Sequence, residues 1–117
     1  MDTFTQRQIA ETLAFIDATI VNCEKVQPRL REGSPQLTLS RNRIKALSIA
    51  KDLLLNQAPH YPKGDLAAAA AQIDSIKRKS LTGIHNAKEG GAAYTRFSKI
   101  IGAADVMLAY LQNALNQ

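Results

Sequence analysis

A chain of 117 residues, 45% of them hydrophobic, is long enough to bury a core and too apolar for a disordered tail. Aromatics make up 5% and Trp is absent, so the core must be built from Leu, Ile, Val and Ala, a palette that favours helices over sheets. The net charge of +5 permits association with phosphate polymers or acidic partners, and the lone Cys23 excludes an internal disulfide framework or a cysteine-rich zinc site.

The chain opens with overlapping helix-start signals, Thr3-x-x-Gln6 and Thr5-x-x-Gln8. With Thr5 as cap, Phe4 and Ile9 take the two positions of a hydrophobic staple. Ile9, Leu13, Ile16, Ile20 and Cys23 then recur at the spacing of one buried helical stripe. Pro28 removes a backbone donor and restricts Gln27, so this helix is expected to end or kink near Val26. Gly33-Ser34-Pro35 supplies a left-handed cap, an N-cap and a first helical position in turn. A second stripe follows at Leu37, Ile44, Leu47 and Leu54, widened by Leu39, Ala46, Ala50 and Leu53, and runs to about Asn56.

Residues 57–65 form the one long connection, with His60-Tyr61-Pro62-Lys63-Gly64 inside it. A third helix is expected from about Asp65, its inward face made by Leu66, Ala70, Ile73, Ile76, Ser80, Ile84 and Ala87. Gly90-Gly91 ends it. The fourth carries Tyr94, Phe97, Ile101, Ala104, Leu108, Leu111 and Leu115, an unbroken heptad pattern. Ile49, Ile100, Val106 and Met107 lie off the main seams and serve either the monomer core or a homodimer contact.

The halves match one another without gaps when the chain is slid by 57 residues. Ile16-Asp17 falls on Ile73-Asp74, Glu32-Gly33 on Glu89-Gly90, Thr38 on Thr95, Ile44 on Ile101, Ala46 on Ala103 and Leu54 on Leu111. One hairpin cannot bury its stripe alone, so the expected fold is all-α: a single domain over 1–117, an antiparallel four-helix bundle of two pseudo-repeated hairpins, about 4–57 and 64–117.

The pattern of Asn22-Cys23-Glu24-Lys25, Glu32-Gly33-Ser34-Pro35-Gln36 and Asn42-Arg43-Ile44-Lys45-Ala46-Leu47 resembles short uncharacterised bacterial all-helical proteins. The resemblance covers mainly residues 16–54 and implies no activity.

Catalytic chemistry has little to stand on. His60 and His85 belong to no spaced ligand set, and the Glu-x-x-His pairs of di-metal bundles do not occur. No zinc-protease motif, phosphate-binding loop or dinucleotide fingerprint is present, so no cofactor or metal is expected. Asp17 and Asp74, repeated beside a core Ile, are either two acids facing one another, the basis of an enzymatic alternative, or local ion-pairing groups. The second reading is preferred, because a charge flanking a core stripe is usually solvated.

The charges are more telling. In an up-down-up-down bundle Arg29, Arg31, Arg41 and Arg43 gather with Lys88, Arg96 and Lys99 at the end that holds the hairpin tips, and Lys77-Arg78-Lys79 extends them along the third helix. They form either an anion- or partner-binding surface or a solvated, dipole-offsetting set. The expected function is a non-enzymatic interaction module, its partner a protein rather than a nucleic acid. Phosphate-backbone binding by the basic tips is the alternative. Small basic four-helix bundles that act by protein contact, such as bacteriocin immunity proteins, offer a fold-level analogy. Without a secretory signal or an apolar run of about 18 residues, the expected setting is the cytoplasm, with no membrane insertion.

Overall fold

The computed structural model describes residues 3–57 and 60–117. Among these lie four α-helices, α1 (Gln6–Val26), α2 (Pro35–Leu54), α3 (Lys63–Asn86) and α4 (Ala92–Leu115), one 3₁₀ turn (Gln27–Arg29) and no strand. No helix is long and apolar enough to cross a membrane.

The local signals act where the sequence places them. Thr5 accepts from the Gln8 amide at 3.1 Å while Gln8 Oε1 accepts from the Thr5 amide at 2.8 Å, a reciprocal pair that satisfies two orphan donors of α1. Phe4 is not confined to a staple; its ring stacks on Tyr110 of α4, with centroids 6.4 Å apart. Pro28 ends α1 after Val26 by turning the chain into the 3₁₀ segment. Ser34 caps α2 through the Leu37 amide, with Pro35 at the first position. The start of α3 differs from expectation: the helix begins at Lys63 after Pro62, and Asp65 sits in the first turn. Pro62 fixes φ and presents its carbonyl to the Asp65 and Leu66 amides, so the helix starts two residues early.

Helix starts recur at one interval. Gln6 and Lys63 open α1 and α3, 57 residues apart, and Pro35 and Ala92 open α2 and α4 at the same offset. Gly33 and Gly90, also 57 apart, both take φ of +79° as third residues of turns closed by the Ser34 amide on the Arg31 carbonyl and the Gly91 amide on the Lys88 carbonyl, a left-handed position that suits Gly. They do not cap the helices as expected, since α1 gives way after Val26 and α3 ends at Asn86. Burial follows the same offset. Ile16 and Ile73, Ala46 and Ala103, Ile49 and Val106, Ala50 and Met107, and Leu54 and Leu111 are all buried.

The core joins Ile16 of α1, Ala46, Leu47, Ile49 and Ala50 of α2, Leu66, Ala69 and Ile73 of α3, and Ala103, Ala104, Met107 and Leu111 of α4. Towards the two tips only Leu37 and Ser80 are fully buried. The core therefore occupies the half of the molecule where α2 ends and α3 begins. Helix packing is consistent with a bundle, and α3 with α4 shares the most extensive pairing. Gly83 permits it, since a Cβ there would lie 2.5 Å from Phe97 Cζ; without one, the ring rests on the helix backbone.

The stripes of α1 and α4 differ from their expected register. Thr12 is buried beside Ile16, while Leu13 is only half-buried. Its hydroxyl donates to the Gln8 carbonyl at 2.8 Å, which removes the cost of burying it. On α4, Ala103, Val106 and Met107 are enclosed and Leu108 is only half so. α4 packs against all three other helices, so its buried face is wider than one heptad seam. Of the four off-seam residues, Ile49, Val106 and Met107 complete the monomer core, and Ile100 is half-buried.

Overall extents are 41 × 40 × 20 Å. Helices of 20 to 24 residues are about 30–36 Å long, so four shared axis directions would leave one long dimension, not two. The accessible surface of 7532 Å² is correspondingly larger than the roughly 6,300 Å² typical of this mass.

Candidate functional site

Residues 20–43 and 76–100, the tip halves of the helices with their turns, hold eleven Lys and Arg against three Asp and Glu, and the remainder holds four against seven. The chain is thus strongly polarised, more than its net charge suggests.

Ion pairing deepens the contrast. In the core half Arg7 pairs with Glu11 at 3.0 Å, Lys45 with Asp65 at 3.5 Å and Lys51 with Asp17 at 2.7 Å. At the tips, among the seven cations singled out from sequence, Arg41 alone has an acidic partner among the described residues, Glu32 at 3.7 Å. Arg29 and Arg31 are exposed on the first tip and line an open hollow with Gly33 and Ser34. Lys88, Arg96 and Lys99 are exposed on the second tip and its helix. The Arg96 guanidinium lies 5.2 Å from the centroid of Phe97, a cation–π contact. Arg43 is half-buried, and its Nε has no hydrogen-bond partner. No ion pair or side-chain hydrogen bond among the described residues joins the cations of one tip to those of the other.

The basic run on α3 contributes less than its sequence promises. Lys77 reaches Asp105 of α4 at 2.6 Å, and Arg78 takes Asp74 one turn back at 3.0 Å. Lys79 is left unpaired. The same contacts describe the two repeated aspartates: Asp17 is held by Lys51 across the first hairpin and Asp74 by Arg78 on its own helix. They share no partner among the described residues. Among the described residues no three His, Cys, Asp or Glu side chains come together as a metal site.

A second feature, not anticipated from sequence, lies at the opposite end. A groove of about 690 Å³ opens between the ends of α2 and α4 and the start of α3, with Leu53, Leu54, Leu66 and Ala114 beneath and His60, Tyr61, Lys63 and Tyr110 around it. Asn56, at φ 55°, is the left-handed residue that ends α2 and turns the chain into the connection. The signal available was that connection itself, a long segment carrying His, Tyr and Lys, since loops on a rigid scaffold often carry binding groups.

Tyr61 is fixed there by a 2.5 Å hydrogen bond donated to Asp52 Oδ2. That bond, with partial burial and the nearby carboxylates, pushes the phenol up to about 12. Its native pKa lies above the unfolded value near 10, so the stabilisation is whole below pH 10 and is lost as pH rises through about 12. Urea midpoints of the wild type and Tyr61→Phe should therefore differ at pH 9 and converge by about pH 12. A difference that widens with pH would contradict this assignment.

Compared with protein-family models, curated proteins and solved structures, the chain matches none. Function must be argued from the geometry.

Proposed function

We propose that the protein is a non-enzymatic, cytoplasmic interaction module that presents two basic hairpin tips to an acidic protein partner. The unmatched charge at the tips carries this reading. Cations of the core half are mostly neutralised by neighbours, whereas Arg29, Arg31, Lys88 and Lys99 stand exposed without an acidic partner among the described residues. Leaving like charges together stabilises nothing in the free molecule, and complementary charge on a partner relieves the repulsion and steers encounter.

Three observations favour protein over nucleic acid. The basic groups fall on two separate tips rather than along one track. Large apolar side chains lie exposed on the same halves: Val21 and Val26 on α1, Leu39 on α2 and Leu81 on α3, as suits a contact that is partly apolar. The tip aromatic Phe97 lies against Gly83 with Arg96 over its ring, and is not a free platform for base stacking.

The underlying architecture we propose is an antiparallel four-helix bundle made by duplication of one hairpin. The 57-residue offset of helix starts, left-handed glycines and buried positions supports it. So do the ion pairs. Shifted by 57, Lys77 and Asp105 fall on Ile20 and Ser48, one turn along from Asp17 and Lys51, so both hairpins pair in the same register.

The test is a salt series with duplex and single-stranded DNA, using the wild type and a variant with Arg29, Arg31, Arg41 and Arg43 changed to Ser. A protein-directed surface should give only weak nonspecific binding, with Kd about 10⁻⁴ to 10⁻⁶ M, gone by roughly 200 mM salt. Sub-micromolar binding that survives that salt and is lost in the variant would make the protein a nucleic-acid-associated factor instead.

A further inference from the structure

The groove at the core end has features that a mere packing gap does not require. Its size, about 690 Å³, lies within the roughly 300–1,000 Å³ of small-molecule sites. Its floor is apolar, with Leu53, Leu66 and Ala114, and among the described residues no Asp or Glu side chain lines it. Lys63, exposed on its rim, is the one cation of the core half without an ion pair among the described residues. Asp52, the nearest acid on α2, is occupied by Tyr61. The helix ends that border the groove offer little to a cation. The Lys51, Asp52 and Leu53 carbonyls accept from the Leu55, Gln57 and Asn56 amides, and those of Gln112 and Ala114 accept from Asn116 and Gln117, so much of the negative end of each helix is already satisfied.

We propose that this groove binds a small organic carboxylate with an apolar body, its head group at Lys63 and its body against Leu53, Leu66 and Ala114. A single cation balances a single negative charge, which suits a carboxylate better than a dianionic phosphate ester. The side-chain amide of Asn113, also in the lining, supplies donors for the second oxygen. Tyr61, tethered through its hydroxyl, and Tyr110, held by its stack on Phe4, act as fixed walls, so little side-chain freedom is lost when the body enters.

The probes are octanoate, 1-octanol and octylammonium, titrated into uniformly ¹⁵N-labelled full-length protein and followed by amide chemical shifts. Octanoate should move resonances of residues 53–56, 60–66 and 110–114. Its affinity should fall about fivefold or more in Lys63→Met, the loss of one charge-assisted contact. Octanol should bind more weakly than octanoate, and octylammonium weakest of all. Ala114→Phe, which fills the floor, should abolish the shifts while leaving the circular dichroism spectrum unchanged. Equal octanoate affinity in Lys63→Met, shifts confined to the arginine-bearing tips, or no shift at about 10 mM octanoate would each overturn the proposal. None of these outcomes bears on the tips' partner, because the four-arginine variant leaves the groove intact.

Discussion

Replacing Leu47 with Ala should cost about 3 kcal/mol of folding stability. Leu47 is wholly enclosed on α2, in the cluster that joins all four helices. Truncation removes transfer free energy and leaves a cavity that rigid helices only partly close, which places the cost within the 2–5 kcal/mol usual for such sites. A small domain holds about 5–15 kcal/mol in total, so the urea midpoint should drop by a large fraction. Leu39→Ala is the matched control. Leu39 lies on the same helix but is 40% exposed, and its loss should change the midpoint little. Equal costs at the two sites would mean that the core is not where the buried residues place it.

The second expectation adds volume. Ala104, on α4, is also fully enclosed, and Ala104→Leu should cost about 2 kcal/mol through overpacking. The two sites are linked, since Leu47 and Ala104 are 57 residues apart and occupy equivalent positions in the two hairpins. Ala50 and Met107 show the same exchange of small and large at one equivalent position. At these two positions one half of the proposed repeat carries a large side chain and the other a small one, whereas Ile16 with Ile73 and Leu54 with Leu111 are large in both halves. The double variant Leu47→Ala, Ala104→Leu moves the bulk to the other copy. It should be destabilised by about 1–3 kcal/mol less than the sum of the single changes. Strict additivity in urea melts would separate the sites and count against the duplicated architecture.

Much of this fold was legible in the residues. Thr5 with Gln8, Pro28 and Ser34-Pro35 act through the local backbone, and each ends or begins a helix within a residue or two of where its chemistry says, whereas Gly33 and Gly90 shape turns beyond the helix ends they were expected to cap. What depends on neighbours was harder to read. The heptad of α4 marks Ala104 and Leu111 but passes over Ala103, Val106 and Met107, because a single seam describes one partner and α4 has three. Thr12 looks like a surface residue until its hydroxyl is seen to be satisfied within α1. Which cation finds a carboxylate on another helix, as Lys77 of α3 does in Asp105 of α4, depends on how the helices pack. The groove beside Lys63 and Tyr110 joins residues nearly fifty positions apart, and nothing local in the sequence brings them together.

The uneven placement of the core has a consequence for how the protein can change. Residues 46–54, 66–73 and 103–111 hold most of the enclosed side chains, and the tips project beyond them. Amide hydrogens near the tips should exchange through local fraying, and those around Leu47 and Leu111 only through global opening. A substitution at Arg31 or Lys88 then alters what the molecule touches with little effect on whether it folds. Such a body can drift from one partner to another by surface changes alone, its scaffold standing still while its specificity moves.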